Sequence, residues 1–212
     1  LINKVVDGFP YEETQDQTKA IKDVFNDLRN NKPMDRLVYG DVGFGKTEVA
    51  IRAAILAISS GRVVFFLAPT TVLSDQHYIN CVNRLSPAGV NVELLSRFKN
   101  PTQQKEILKK YESGEIDLLV GTHRLLSSDV KTDRLGLLIV DEEHRFGVKH
   151  KEAIRRIRAR VDVLTLTATP IPRTLQQSLV GIRDTSKIET PPQERQPIKT
   201  YICRFNWNCL LY

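Results

Sequence analysis

Leu37-Val38-Tyr39-Gly40-Asp41-Val42-Gly43-Phe44-Gly45-Lys46-Thr47-Glu48 decides the fold. Leu37-Val38-Tyr39 reads as the end of a buried strand, and Lys46–Ser59 reads as the helix that follows it. Between them Gly40–Thr47 matches the pattern G-x-x-x-x-G-K-[S/T]. Glycines at these places let the main chain curl until successive N–H groups converge on one point. The N-terminus of the helix adds its positive dipole end, so the loop becomes a cradle for phosphate. Lys46 is placed to reach the β- and γ-phosphates of a nucleoside triphosphate, and the Thr47 hydroxyl to hold Mg²⁺. A glycine-rich turn can match by accident, but an accident does not bring the strand before it and the helix after it.

Working outward, apolar strand-sized runs alternate with amphipathic helical stretches. Strands are expected at Arg36–Tyr39, Val63–Leu67, Asn91–Leu95, Leu118–Val120, Leu137–Val140 and Val163–Thr167. Helices are expected from Thr14, a natural N-cap, through Leu28, and at Lys46–Ser59, Thr71–Leu85, Pro101–Ser113 and Lys149–Arg160. Strands joined by single helices specify a doubly wound α/β domain: a mainly parallel sheet with helices on both faces. After Ile188 the texture changes. Thr190-Pro191-Pro192-Gln193-Glu194-Arg195-Gln196-Pro197 reads as an extended linker. The expected division is therefore a nucleotide-binding domain over residues 1–189, then a linker and stub over 190–212.

A second group of residues sharpens the chemistry. The run Leu137-Leu138-Ile139-Val140 leads directly into Asp141-Glu142-Glu143-His144. A buried strand that delivers carboxylates at its C-terminal end puts them where open α/β sheets bind ligands. Asp141 can hold Mg²⁺ through water, and Glu142 can orient or deprotonate an attacking water. An acidic cluster capping a strand in solvent would look the same, were the phosphate loop not present.

Bulk properties fit such a domain. The chain has 212 residues, 41% of them hydrophobic and 26% charged, with a net charge of +6 that suits a polyanionic partner. The longest apolar runs, Val63–Pro69 and Leu135–Val140, are strand-sized, far below the ~20 residues of a membrane-spanning helix. The N-terminus lacks the pattern of a signal peptide and lacks Met, so a piece of a longer protein is expected. Cys81, Cys203 and Cys209 have no metal-site spacing and are expected to be reduced thiols. A lone His77 on a helix is expected to be packing or surface. The basic run Lys149, Lys151, Arg155, Arg156, Arg158 and Arg160 tempts a nucleic-acid reading. Ala153, Ile154, Ile157 and Val161 give that helix an apolar stripe, so the charge reads mainly as its solvated face.

Asp141-Glu142-Glu143-His144 together with Thr167-Ala168-Thr169-Pro170 is similar to the motif set of superfamily 2 helicases and translocases, specifically their first RecA-like motor domain. Further matching stretches are Phe9-Pro10-Tyr11-Glu12 with Asp16-Gln17, Pro69-Thr70-Thr71, Ser96-Arg97-Phe98, Gly121-Thr122-His123, Arg145-Phe146-Gly147 and the rest of Thr167–Thr174. The resemblance runs from about Phe9 to Ile202. Within the superfamily the chain resembles the branch of transcription-repair coupling factors and RecG-type branch-migration helicases. Met34-Asp35-Arg36-Leu37 and Pro191-Pro192 favour the former.

This resemblance implies an ATP- and Mg²⁺-dependent motor on double-stranded DNA, acting in DNA repair. It implies Gln17 as the adenine-reading amide, with Gly40, Asp41, Val42, Gly43, Phe44, Gly45, Lys46, Thr47 and Glu48 around the nucleotide and Phe9 near the base. Lys46, Asp141 and Glu142 would be catalytic, with Thr47 and Asp141 on the metal. Thr70, Arg97, Thr122 and His123 would face nucleic acid, while His144, Thr167 and Thr169 would couple the two sites. It further implies a second RecA-like domain supplying arginines, with RNA polymerase and excision-repair proteins as partners of regions outside these residues. The expected setting is the bacterial cytoplasm, or a plastid for a homologue with a transit peptide. Fork reversal of the RecG type, an RNA helicase, and a non-motor module using ATP as a static switch are the alternatives.

Overall fold

The computed structural model describes residues 1–169 and 183–193. Its elements are α1 (Ile2–Asp7), α2 (Gln15–Leu28), β1 (Asp35–Gly40), α3 (Lys46–Ser59), β2 (Val63–Leu67), α4 (Thr71–Leu85), β3 (Val92–Leu95), α5 (Pro101–Ser113), β4 (Leu118–Gly121), β5 (Leu135–Asp141), α6 (Val148–Arg158), β6 (Asp162–Thr167) and β7 (Asp184–Ile188). The strands form one sheet in the order β3-β4-β2-β5-β6-β1-β7, with every pairing parallel. A parallel sheet puts the C-terminal ends of its strands on one edge, where ligands of open α/β sheets bind. Here that edge gathers Gly40, Leu67, Gly121, Asp141 and Thr167.

Both faces of the sheet are covered, which is why its strands are apolar throughout rather than alternating. Along β2, Val64 and Phe66 face one layer, where they pack with Val49, Ile55 and Cys81 from α3 and α4. Val63, Phe65 and Leu67 face the other layer, with Ile107 and Tyr111 from α5 and Ile154 from α6. Phe65 and Phe66 are wholly buried, each contributing about 1.5–3 kcal/mol relative to exposure. Among the described residues no helix is long and apolar enough to cross a membrane.

Local chemistry sets the helix starts. Thr14 Oγ1 accepts from Gln17 N at 3.3 Å, while Gln17 Oε1 accepts from Thr14 N at 3.0 Å, a reciprocal capping box. Asn100 and Gln103 repeat the device at α5. Three expectations need correction. Helix α6 begins at Val148 and ends at Arg158, because Gly147 caps its start and Ala159 its end. Strand β5 begins two residues before the expected Leu137, at Leu135.

The third correction is β7, which the sequence reading did not anticipate. Its residues Asp184-Thr185-Ser186-Lys187-Ile188 are polar because it is an edge strand with only Ser186 and Ile188 buried. Ser186 Oγ accepts from Arg36 at 2.9 Å and donates to Asp23 at 2.9 Å. Beyond β7, Asp16 Oδ2 accepts from Glu189 N, Thr190 N and Thr190 Oγ1, tying the start of the expected linker to α2. Those bonds hold the Asp16 carboxyl below its ordinary pKa. Pro170–Thr174 of the expected coupling motif, Cys203, Cys209 and the stub from Phe205 to Tyr212 lie outside the described residues.

Candidate functional site

The loop between β1 and α3 is shaped by close approach. A Cβ on Gly40 would stand 2.5 Å from the Ile188 carbonyl oxygen of β7, so only glycine fits. Gly43 and Gly45 have φ of 80° and 77°, left-handed conformations that glycine adopts without strain. Phe44 is buried and anchors the loop, whereas the Val42 side chain is exposed and offers only its main chain. Asp41 Oδ1 accepts from Val42 N at 2.8 Å. Lys46 Nζ donates to the carbonyls of Gly40 (2.8 Å) and Asp41 (2.9 Å), which holds its ammonium over the loop. Burial lowers the Lys46 pKa, partly offset by the carboxylates of Glu142, Asp141 and Asp41.

Across the same edge, β5 delivers the carboxylates. Asp141 Oδ2 meets His77 Nε2 of α4 at 2.9 Å. Glu142 is the one non-glycine among the described residues with a positive φ, 47°. Such a conformation costs on the order of 1–3 kcal/mol and persists only where the surroundings hold it. They do: Glu142 N donates to Leu166 O at 2.9 Å. Its side chain accepts from Thr167 Oγ1 (Oε2, 2.7 Å) and Ala168 N (Oε1, 2.8 Å), and Thr169 N donates to the same Thr167 hydroxyl at 3.1 Å. His144 Nδ1 lies 3.3 Å from Glu142 Oε2. The expected coupling residues His144, Thr167 and Thr169 thus converge on Glu142, not on Asp141.

The neighbouring Glu143 belongs to a different network. It accepts from Arg158 (2.9 Å), Arg183 (3.3 Å) and Thr165 (3.2 Å). Burial raises its pKa, but Arg158 and Arg183 outweigh that and hold the carboxyl below its ordinary value. Arg158 therefore faces inward and is withdrawn from the basic face of α6.

A cavity of about 650 Å³ opens beside the loop, lined by Phe9, Tyr11, Gln17, Gly45, Thr47 and Arg84 among others. Gln17 is buried in its wall, with Nε2 donating to Phe44 O at 2.9 Å and Oε1 capping α2. A primary amide has two hydrogens and two lone pairs, so each end retains one more bond to make. Arg84 lies over the Phe9 ring, 5.3 Å from its centroid, and the Tyr11 ring stands edge-on to Phe9 at 5.6 Å. Glu48, expected at the nucleotide, also lines this cavity, with its carboxylate paired to Arg52 (2.6 Å) and Arg84 (2.8 Å). It fixes the cavity wall through that buried ion pair.

Further along the edge, the expected nucleic-acid residues separate. Thr70 is exposed and caps α4, accepting from Leu73 N at 3.2 Å. Arg97 is exposed after β3, 5.5 Å from the centre of the Phe98 ring. His123 is exposed and stacks on His150 of α6 at 4.9 Å and 28°. Burial, then His150 and Arg97, push the His123 pKa below 6.5. Thr122 needs correction: it is only 2% exposed, so its side chain turns into the fold instead of presenting at the surface. Among the described residues its Oγ1 has no hydrogen-bond partner.

Two residues escaped sequence reading. His77 sits 64 positions from Asp141, and nothing local marks the pairing. His150 lies within the basic helix set aside as a solvated face, and only the stacking reveals it. The donor set around the loop suits Mg²⁺, a hard cation that takes few protein oxygens plus phosphate and water. Asp141 Oδ1, at the end of β5, and the Thr47 hydroxyl, next to Lys46 in α3, are the oxygen donors that would hold it. Among the described residues no three His, Cys, Asp or Glu side chains gather into an all-protein cage.

Comparison with known proteins places this geometry. Residues 14–178 match the family model of the DEAD/DEAH box helicases. The chain is 54% identical over 199 residues to the transcription-repair-coupling factor of Bacillus subtilis (strain 168), and 53% identical over 198 residues to that of Staphylococcus aureus (strain USA300). These matches cover 94% and 93% of the chain and 17% of each relative, so the chain spans about a sixth of their length. It also superimposes on RecG bound to a three-way DNA junction with a TM-score of 0.80 at 34% identity, covering 92% of this chain and 26% of that one. The seven-stranded parallel sheet is accordingly the RecA-like fold of the helicase motor. With the family model running from the N-cap of α2 to beyond β6, the chain belongs to the DEAD/DEAH box helicase family.

Proposed function

We propose that this chain is the ATP-binding half of a double-stranded DNA translocase motor that acts in transcription-coupled repair. One observation carries the motor reading: Glu142 stands at the phosphate edge, bonded to Thr167 and Ala168 with His144 Nδ1 3.3 Å away, on the sheet edge that also presents Arg97 and His123. The link to that surface runs along the chain, from Glu142 through His144 into α6, whose His150 stacks on His123.

In this reading the loop amides and Lys46 hold the triphosphate, and Phe9 and Gln17 receive the adenine in the adjoining cavity. Thr47 and Asp141 would hold Mg²⁺, which would supply charge neutralisation at the phosphates. Glu142 accepts a proton from the attacking water. Thr70, Arg97 and His123 contact DNA phosphates, which position the duplex without reading its sequence. A second RecA-like domain completes the cleft, and RNA polymerase and excision-repair proteins engage other parts of the complete protein. The similarity to coupling factors over 94% of the chain supports this assignment.

ATP turnover by the complete protein on three polynucleotides tests it. Blunt duplex DNA is expected to stimulate turnover. Stimulation by three-way junctions alone would favour fork reversal, the alternative that the likeness to RecG supports. Dependence on RNA would overturn both.

Two further outcomes follow from the geometry. Lys46→Ala removes a charged donor to phosphate, worth about 1.5–3 kcal/mol, so nucleotide affinity should fall by about 10- to 100-fold in a fluorescent-nucleotide titration. An unchanged affinity would remove Lys46 from the site. For His123 the sign is set by its lowered pKa: a bound phosphate favours the imidazolium, so binding takes up a proton. DNA affinity should rise as pH falls from about 7.5 toward about 5.5, and the slope should flatten in His123→Asn. An identical slope in the variant would take His123 out of the interface.

A further inference from the structure

We infer that His77 is the positioning residue for Asp141, and that through it α4 ties the nucleic-acid edge to the metal side of the nucleotide site. The inference rests on the reading of Asp141 as the metal-holding carboxylate.

His77 is 7% exposed, with Nε2 2.9 Å from Asp141 Oδ2. Its ring stacks on Phe66 at 4.3 Å and 28°, and Phe66 is a wholly buried residue of β2. The imidazole is thus held by a rigid strand, and its direction toward Asp141 does not depend on solvent. An ionised carboxylate only accepts, so Nε2 carries the hydrogen of this bond. Among the described residues the buried Nδ1 has no partner, so the Asp141 contact is the one hydrogen bond of the ring. The donor is the His77 ring, held at this angle by Phe66. It orients the carboxylate and occupies Oδ2, yet leaves the negative charge and Oδ1 for a cation. A lysine or arginine at the same place would compete for that charge. Partners that orient a metal-holding group in this way act on metal affinity more than on fold.

The position of His77 in α4 gives the contact a second consequence. Thr70 caps the same helix at the nucleic-acid edge, and Asn80, Asn83 and Arg84 of α4 line the nucleotide cavity. One rigid helix touches the expected DNA contact, the metal-side carboxylate and the base pocket. A shift of α4 when DNA engages Thr70 would move the donor on Asp141.

The test compares His77→Ala, His77→Gln and His77→Leu in the complete protein. The readouts are the Mg²⁺ concentration for half-maximal ATP turnover and the affinity for fluorescent ATP with Mg²⁺ and with EDTA. His77→Ala and His77→Leu are expected to raise the Mg²⁺ requirement by about tenfold or more. The EDTA affinity should stay unchanged, and His77→Gln, which retains an N–H donor, should recover most of the loss. Equal weakening with and without Mg²⁺ would reduce His77 to packing and overturn the inference. If His77→Ala does not fold, Gln and Leu still decide: indistinguishable Mg²⁺ requirements for the two would overturn it. Asp141→Asn separates the underlying reading. No change in Mg²⁺ requirement for Asp141→Asn would sink the metal assignment itself, whereas an effect there but none at His77 would sink only the positioning role.

Discussion

Glu142→Gln is expected to lower ATP turnover of the complete protein by about 10²- to 10⁴-fold while nucleotide affinity stays within a few-fold. The contacts of Glu142 make this a clean substitution. Its Oε1 accepts from Ala168 N and its Oε2 from Thr167 Oγ1. A glutamine can keep its carbonyl oxygen on Ala168 and turn its amide toward the Thr167 hydroxyl, which also accepts. The left-handed backbone at Glu142 and the link to Thr169 should then survive, and what is lost is the basic oxygen. Loss confined to kcat identifies a group that acts in the transition state. A variant that turns over ATP at the parent rate would remove Glu142 from the chemistry, and with it the motor reading in favour of a static ATP-dependent module.

The second large effect concerns completeness of the site. Expressed as these 212 residues, the chain is expected to bind Mg-ATP weakly and to hydrolyse it about 10³–10⁵ times more slowly than the complete protein. That interval is what an arginine finger typically contributes. The loop, Lys46, Thr47, Asp141 and Glu142 all belong to β1, α3 and β5 or their ends, so they approach the phosphates from one body. Four arginines of the surrounding framework are committed elsewhere: Arg52 and Arg84 to Glu48, Arg158 and Arg183 to Glu143 and Asp35. Swinging Arg52 or Arg84 toward a phosphate would leave the buried Glu48 uncompensated, and moving Arg158 or Arg183 would do the same to the half-buried Glu143 and Asp35. Single-turnover hydrolysis by the 212-residue chain, with and without duplex DNA, provides the check. A DNA-stimulated rate near that of the complete protein would show that the site needs no second domain.

What could be read from residues in order was whatever local chemistry determines. Helices α3, α4 and α5 run over Lys46–Ser59, Thr71–Leu85 and Pro101–Ser113, as their patterns predict. Their boundaries are set by a loop glycine, a threonine cap and an Asn–Pro start followed by a glycine stop, all within a few positions. The phosphate loop and the Asp141–His144 box were legible for the same reason: the chemistry needs those residue types at fixed spacing.

Only the tertiary structure decided the rest. Strand β7 carries no apolar signal because β1 on one side and α2 above it supply its stability, through Ser186 with Arg36 and Asp16 with Glu189 and Thr190, partners some 150 or more positions away. Thr122 looked like a surface hydroxyl because its neighbours are loop-like, yet the turn after β4 directs it inward. Arg158 read as a solvated charge until its pairing with Glu143 appeared, and the ion pairs of Glu48 with Arg52 and Arg84 left no mark in the sequence. His77 was an unremarkable helical residue until the fold set Asp141 against it. Residue order alone was enough for the glycine loop, the carboxylates at the end of β5 and the alternation of strands and helices, since each of these is local to a strand–turn–helix unit. Which side chains orient those carboxylates was left to the packing of α4, α6 and β6 around β5, because hydrogen bonds between distant segments leave no periodic trace in the chain.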